Sequence, residues 1–104
     1  MKFKLAAALI LSAGTVATTY AQDGESTYKA NCQMCHAATG AADTPAGKMM
    51  GARSFFDPEI AKDTDAQWIA VIKNGKGKMS PFASKLSDDQ IKSVVKYIRA
   101  LKAH

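Results

Sequence analysis

The sequence predicts an all-α fold, and three observations lead to that prediction. Apolar residues recur at helical spacing near the C-terminus, at Ile91, Val94, Val95, Ile98 and Leu101. The four residues Ser87 to Gln90 precede this stripe and match a capping box, with acidic residues in the first turn. The chain carries neither a β-hairpin signal nor an internal repeat, so helices joined by loops are the expected architecture.

The individual elements follow from start and stop signals. A first helix is expected from about Glu25 to Cys32, and residues 37–54, which are rich in Gly, Ala, Thr and Pro, predict a loop. Asp57 and Pro58 predict a short turn or helix with proline at its first position.

Two longer helices are expected in the second half of the chain. Thr64 or Asp65 should cap a helix containing Trp68, and the Asn74-Gly75 pair should end it. The last helix should run from Ser87 to about Leu101, with basic residues toward its C-terminal end.

The N-terminal segment is typical of a secretory signal peptide rather than of a folded element. Basic residues at positions 1–4 precede an apolar run from Leu5 to Val16, and small residues lead to a cleavage site after Ala21. A transmembrane anchor is the alternative, but the run is shorter than the ~20 residues that a bilayer span requires. We therefore expect a signal peptide at 1–21 and one domain at 22–104.

The domain that remains is small and mildly basic. Cleavage would leave 83 residues with 12 of the 14 basic and all 9 acidic residues, a formal charge of +3. This charge does not favour nucleic-acid binding. A domain of this size has a marginal core and usually needs a disulfide, metal or cofactor to stabilise it. Its two cysteines, Cys32 and Cys35, could close only a very short loop, which would add little stability.

The segment Cys32-Gln33-Met34-Cys35-His36 carries the chemistry. Two thiols on one turn can add to the two vinyl groups of a haem, and the adjacent histidine can then reach the iron, so C-x-x-C-H is the attachment signature of haem c. The motif could instead form a zinc site, a thioredoxin-like redox pair or a structural disulfide. A zinc site needs about four ligands, and only His104 adds a further histidine; the chain also lacks the βαβ unit of thioredoxins.

An iron held by one histidine needs a sixth ligand or leaves a site open. Met79 is the strongest candidate, because it lies in the loop from Gly75 to Phe82, whose glycines and proline allow the backbone to bring a thioether to the iron. Met49 and Met50 are rivals in another loop. Met34 lies within the attachment motif, too near the histidine side.

These residues together resemble a known family. The haem motif, the run from Asn74 to Met79 and a C-terminal helix containing Tyr97 look like the class I c-type cytochromes, specifically their short bacterial and photosynthetic-lumen-like branch. The resemblance covers residues 24–102. It implies three to four helices wrapped around one covalently bound haem, with His36 and Met79 as axial ligands and with Gly24 and Tyr28 facing Tyr97.

Two features depart from the family pattern. Members often have proline directly after the ligand methionine, whereas Ser80 precedes Pro81 here. Members often use a proline carbonyl to orient the axial histidine. Pro45 is the candidate for it, but the Gly-Pro context that is usual around that proline is absent.

The resemblance also implies a function. It indicates a soluble, monomeric carrier that shuttles single electrons between redox partners in the periplasm, with the thylakoid lumen as the alternative compartment. Filled axial positions imply that it is not an enzyme. A haem-based sensor or small-ligand binder, with a displaceable distal ligand, is the alternative function.

Basic residues around the Met79 loop suggest how partners could be recognised. They are Lys73, Lys76, Lys78 and Lys85. They could form a docking face for acidic partners or serve only as solvated surface charge. Trp68 and Arg53 could hydrogen-bond haem propionates, or serve as core packing and surface charge, respectively.

Overall fold

A computed structural model describes residues 20–102, so the predicted signal peptide lies almost wholly outside the described residues. Six helices follow one another in this part of the chain: α1 Tyr20–Asn31, α2 Gln33–His36, α3 Pro45–Met50, α4 Pro58–Ala61, α5 Asp65–Asn74 and α6 Asp88–Arg99. No strand occurs within these residues, so the all-α prediction is confirmed. Three of the helices have ten residues or more and three have four to six, in place of the three to four helices expected.

Local capping explains where the long helices begin. The Ser87 hydroxyl accepts a hydrogen bond from the Gln90 backbone N–H, and the Gln90 side chain accepts one from the Ser87 N–H. Thr64 and Gln67 form the same reciprocal pair before α5, so the cap of that helix is Thr64 and not Asp65. Each pair satisfies two backbone donors that have no partner within the helix.

Helix α3 was not predicted, although its signals are present in the sequence. The Thr44 hydroxyl accepts the Gly47 N–H as an N-cap, Pro45 is the first helical residue, and Gly51 ends the helix with φ of 72°. Proline at the start and left-handed glycine at the end are helix boundaries rather than loop residues. Thr44 also donates to the Met34 carbonyl at 2.7 Å, which ties α3 to α2.

The core lies where α1 crosses α6. Tyr28, Ile91 and Val94 have no exposed surface, and Val95 has almost none. The Tyr28 and Tyr97 rings pack with their centroids 5.3 Å apart, as the resemblance implied. Helix α1 begins at Tyr20, earlier than expected, and α6 ends at Arg99, before Leu101.

Arg99 fixes the α4–α5 connection to α6. Its guanidinium pairs with Asp65 at 2.9 Å and donates to the carbonyls of Ala61 and Asp63 at 3.1 and 2.6 Å. It also lies 3.8 Å from the centroid of the Trp68 ring. These contacts hold in place the indole of Trp68, which lines a large cavity.

Replacing Gly24 with alanine should destabilise the folded protein. A Cβ at this position would collide with the backbone carbonyl oxygen of Ser93 and lie 2.9 Å from its carbonyl carbon. Alanine is the better helix former, but overpacking against backbone should outweigh that gain and cost about 1–3 kcal/mol. Thermal unfolding of the haem-loaded protein measures the effect. Lys29→Ala on the exposed face of α1 is the control, because its ion pair with Glu25 is solvent-exposed, and its effect should be much smaller than that of Gly24→Ala. Equal effects of the two variants would contradict the close approach.

Candidate haem site

The two thiols and the imidazole of the attachment motif are held by one turn of backbone. The Cys32 N–H donates to the Tyr28 carbonyl at 2.8 Å, and the His36 N–H donates to the Cys32 carbonyl at 2.9 Å. The buried Tyr28 hydroxyl donates to the carbonyl of Ala37, directly after His36. Burial raises the pKa of Tyr28, so the hydroxyl stays protonated and remains a donor. The motif is therefore anchored at both ends by Tyr28.

A cavity of about 580 Å³ opens beside this turn. Its volume lies within the ~300–1,000 Å³ typical of small-molecule and cofactor sites. Cys32, Cys35 and His36 of the motif line it, and so does Met79 from the loop after α5. The fold thus brings together the four residues that the sequence singled out.

The titration behaviour of the motif suits a metal-ligating histidine better than a reactive thiol. Burial lowers the pKa of His36, an effect that the backbone of Arg53 partly opposes, so the imidazole is neutral at pH 7. Its Nδ1 atom is buried and has no hydrogen-bond partner. Burial also raises the pKa of Cys32 to about 11. A redox-active cysteine or a zinc ligand requires the thiolate, which this environment disfavours.

A structural disulfide and a zinc site find no support in the described residues. Cys32 and Cys35 are not joined in a disulfide. Between residues 20 and 102, no three His, Cys, Asp or Glu side chains are grouped as a metal ion would require. His104, the additional histidine that a zinc site could use, lies outside the described residues.

A tight turn determines the position of Met79. Lys76 and Met79 exchange both backbone hydrogen bonds, at 3.0 and 2.9 Å. Between them, Gly77 has a φ of 59° and Lys78 has no positive φ, which is the pattern of a type II′ turn. The Phe82 N–H then donates to the Ile72 carbonyl at 2.9 Å, so the segment with Ser80 before Pro81 returns to the end of α5.

The methionines differ in whether they line the cavity and in how far they are buried. Met79 is half-buried and packs against the core. Met49 and Met50 also line the cavity, but they lie at the end of α3 and are 77% and 43% exposed. Met34 is 75% exposed and does not line the cavity.

The sequence also assigned candidate roles to Trp68, Arg53 and Pro45. The Trp68 indole N–H donates to the Ile60 carbonyl at 3.0 Å, and the Arg53 guanidinium pairs with Asp57 at 2.6 Å. Both groups are thus paired within the protein. This favours core packing for Trp68 and an ion-paired surface charge for Arg53, and both residues also line the cavity. Pro45 starts α3 and does not line the cavity.

Comparison with known proteins identifies the family. Residues 19–98 match the family described as cytochrome C oxidase, cbb3-type, subunit III. Cytochrome c6 of Leptolyngbya boryana is 38% identical over 78 residues, which cover 72% of this chain and 85% of that protein. The chain belongs to the class I cytochrome c family. The structure of the c-type cytochrome KustC0563 is similar to this cytochrome, with a TM-score of 0.70 and 36% identity, covering 78% of this chain and 99% of that one. A point mutant of KustC0563 matches with a TM-score of 0.68 and 35% identity, covering 77% and 99% of the two chains.

Family membership implies a covalently bound haem c, and this cytochrome is accordingly an electron carrier. The residues present fit that group. The cavity is lined by two thiols, an imidazole and a thioether, together with aromatic and aliphatic side chains. The neutral imidazole also has the protonation state that binds iron.

Phe55 and Lys48 are among the residues of the site that were not found from the sequence. Phe55 lines the cavity and stacks on the His36 ring, and Lys48 adds a basic group to the lining. Phe55 lies in a segment whose sequence contains no helical period, so no pattern assigned its side chain a direction. Lys48 lies on α3. Only the boundary residues of that helix, Thr44, Pro45 and Gly51, could have indicated from the sequence that Lys48 is helical.

Proposed function

We propose that this cytochrome is an exported electron carrier with one haem c, attached through Cys32 and Cys35 and ligated by His36 and Met79. The observation that carries the proposal is the convergence of these four side chains on one cavity, although they come from distant parts of the chain. When bound, the haem supplies an iron that gains and loses one electron.

The chain's own residues would tune and protect that iron. A thioether ligand favours the reduced state, so Met79 would raise the potential. The apolar side chains lining the cavity would exclude water, which acts in the same direction. Because His36 and Met79 would both bind the iron, no position on the metal would remain for a substrate. The proposed role is therefore electron transfer and not an enzymatic reaction.

Absorption spectra of both redox states, with and without carbon monoxide, test this function. We expect a low-spin haem in each state and no change on adding carbon monoxide. Binding of carbon monoxide to the reduced protein at once and at low concentration would contradict the carrier and favour the sensor or small-ligand binder.

We further propose that residues 1–21 are a cleaved signal peptide and that the domain at 22–104 works in the periplasm, with the thylakoid lumen as the alternative. Haem attachment to a C-x-x-C-H motif suits an exported protein. Among residues 20–102, no helix has the length and apolar character of a membrane span. N-terminal sequencing of the purified holoprotein should start at Gln22, and a retained Met1 would contradict the cleavage.

The basic residues near the Met79 loop divide into two groups. Lys73 pairs with Asp88 at 3.1 Å, and the Lys85 ammonium lies 5.4 Å from the centroid of the Phe82 ring. Lys76 and Lys78 are exposed, line the cavity and have no ion-pair partner between residues 20 and 102. We therefore propose Lys76 and Lys78 as the charged part of a docking face for acidic redox partners.

Charge reversal at Lys76 and Lys78 should flatten the salt dependence of electron transfer to an anionic partner protein. The wild-type bimolecular rate should fall steeply between 0.1 and 1 M salt, because the Debye length shrinks from ~10 Å to ~3 Å. Stopped-flow measurements over this range give the slope. Reversal at the exposed Lys96 and Lys102 is the matched control and should leave the slope nearly unchanged. A rate indifferent to salt, or equal effects of all four reversals, would show that the lysines only contribute solubility.

A further inference from the structure

The Phe55 ring lies against the imidazole of the attachment motif. The centroids of the Phe55 and His36 rings are 4.6 Å apart, and their planes differ by 22°, which is a stacked arrangement. The torsion that turns an imidazole about its Cβ–Cγ bond has broad, roughly two-fold preferences. The plane of the His36 ring is therefore set by what packs against it rather than by the side chain itself.

Phe55 is itself held by several contacts. Its N–H donates to the Gly40 carbonyl at 3.0 Å, and a Cβ at Gly40 would lie 2.9 Å from Cδ2 of its ring. The ring centroid lies 5.4 Å from that of Trp68 and 6.3 Å from that of Tyr28. Because Trp68 and Tyr28 are buried and hydrogen-bonded, the Phe55 ring has rigid neighbours.

We propose that Phe55 is a positioning residue that fixes the plane of the His36 imidazole, an inference that rests on the proposed role of His36 as axial ligand. The orientation of an axial imidazole determines how unpaired spin is distributed over a ferric haem. Phe55 therefore acts on the electronic structure of the site through His36.

The neighbouring residue offers a matched control. Phe56 follows Phe55 directly and is likewise half-buried, but it makes no ring contact within residues 20–102. Phe55→Leu removes the stacked ring and keeps an apolar side chain of similar size. Phe56→Leu makes the same chemical change beside it, and Phe55→Tyr keeps the stacked ring.

Proton NMR of the oxidised protein tests the proposal through the hyperfine-shifted haem methyl signals. Phe55→Leu should change the spread of the four methyl shifts, whereas Phe56→Leu and Phe55→Tyr should retain the wild-type pattern. Thermal unfolding of each variant reports any general loss of stability, which does not by itself rearrange the methyl pattern of molecules that remain folded. An unchanged pattern in Phe55→Leu, or the same change in Phe56→Leu, would overturn the inference.

Failure of the ligand assignment would give a different result. The His36 ring protons should be among the strongly shifted signals of the wild-type protein. If they are not, both the assignment of His36 and the role of Phe55 are wrong. If they are, an unchanged Phe55→Leu spectrum removes the role of Phe55 alone.

Discussion

Replacing both Cys32 and Cys35 with alanine should abolish covalent haem attachment and reduce the yield of folded protein to near zero. Both thiols line the cavity, and the turn from Cys32 to His36 provides the attachment geometry. The domain has few fully buried side chains, so the stability that a bound haem provides is a large part of the total. Mass spectrometry of the denatured protein measures attachment directly.

The mass of the denatured wild-type protein should exceed that of the polypeptide by one haem. The protein should also keep its colour through acid-acetone extraction. The matched control is Met34→Ala, which changes the same motif at an exposed residue outside the cavity and should leave attachment intact. Release of haem from the wild-type protein by acid-acetone would refute covalent attachment through these cysteines. A double variant that still carries the added mass would do the same.

Replacing Met79 with alanine should remove the weak far-red absorption band that a methionine sulfur gives on ferric haem. The reduction potential should fall with it, within the ~0.8 V range over which axial ligands set haem potentials, because the thioether no longer favours reduced iron. The reduced variant should also bind carbon monoxide, since the distal position would no longer be filled by a side chain. Spectroelectrochemistry gives the band and the potential in one experiment.

Met49→Ala and Met50→Ala provide the comparison. Both side chains line the same cavity, but they are exposed, whereas Met79 packs against the core. Both variants should keep the far-red band and a potential close to that of the wild type. If either of them loses the band while Met79→Ala retains it, the ligand is on α3 and the assignment of Met79 is wrong.

The sequence by itself determined the features that depend on neighbouring residues. The caps at Ser87 and Thr64 could be predicted because each side chain satisfies backbone groups within one turn. The order of the thiols and the imidazole in residues 32–36 likewise indicated a haem, since all three groups lie on one turn. The family resemblance depended on the same local motifs.

Local patterns were less informative where the same residue type can either interrupt a helix or mark one of its ends. Pro45, Gly47 and Gly51 were interpreted as helix breakers, but Pro45 and Gly51 mark the ends of α3, and Gly47 donates the capping hydrogen bond to Thr44. A proline ends a helix in its interior and starts one at its first position. Only the hydrogen-bond partners of the surrounding backbone distinguish the two cases.

The tertiary structure decided the contacts that no local pattern in the sequence encodes. The turn from Lys76 to Met79 brings the thioether to the cavity that His36 lines, and no spacing in the sequence encodes that meeting; only the family resemblance implied it. The stacking of Phe55 on His36 and the ion pair that engages Lys73 likewise depend on the fold. Capping and spacing are encoded within a few residues, whereas these contacts depend on the folded path of the whole chain.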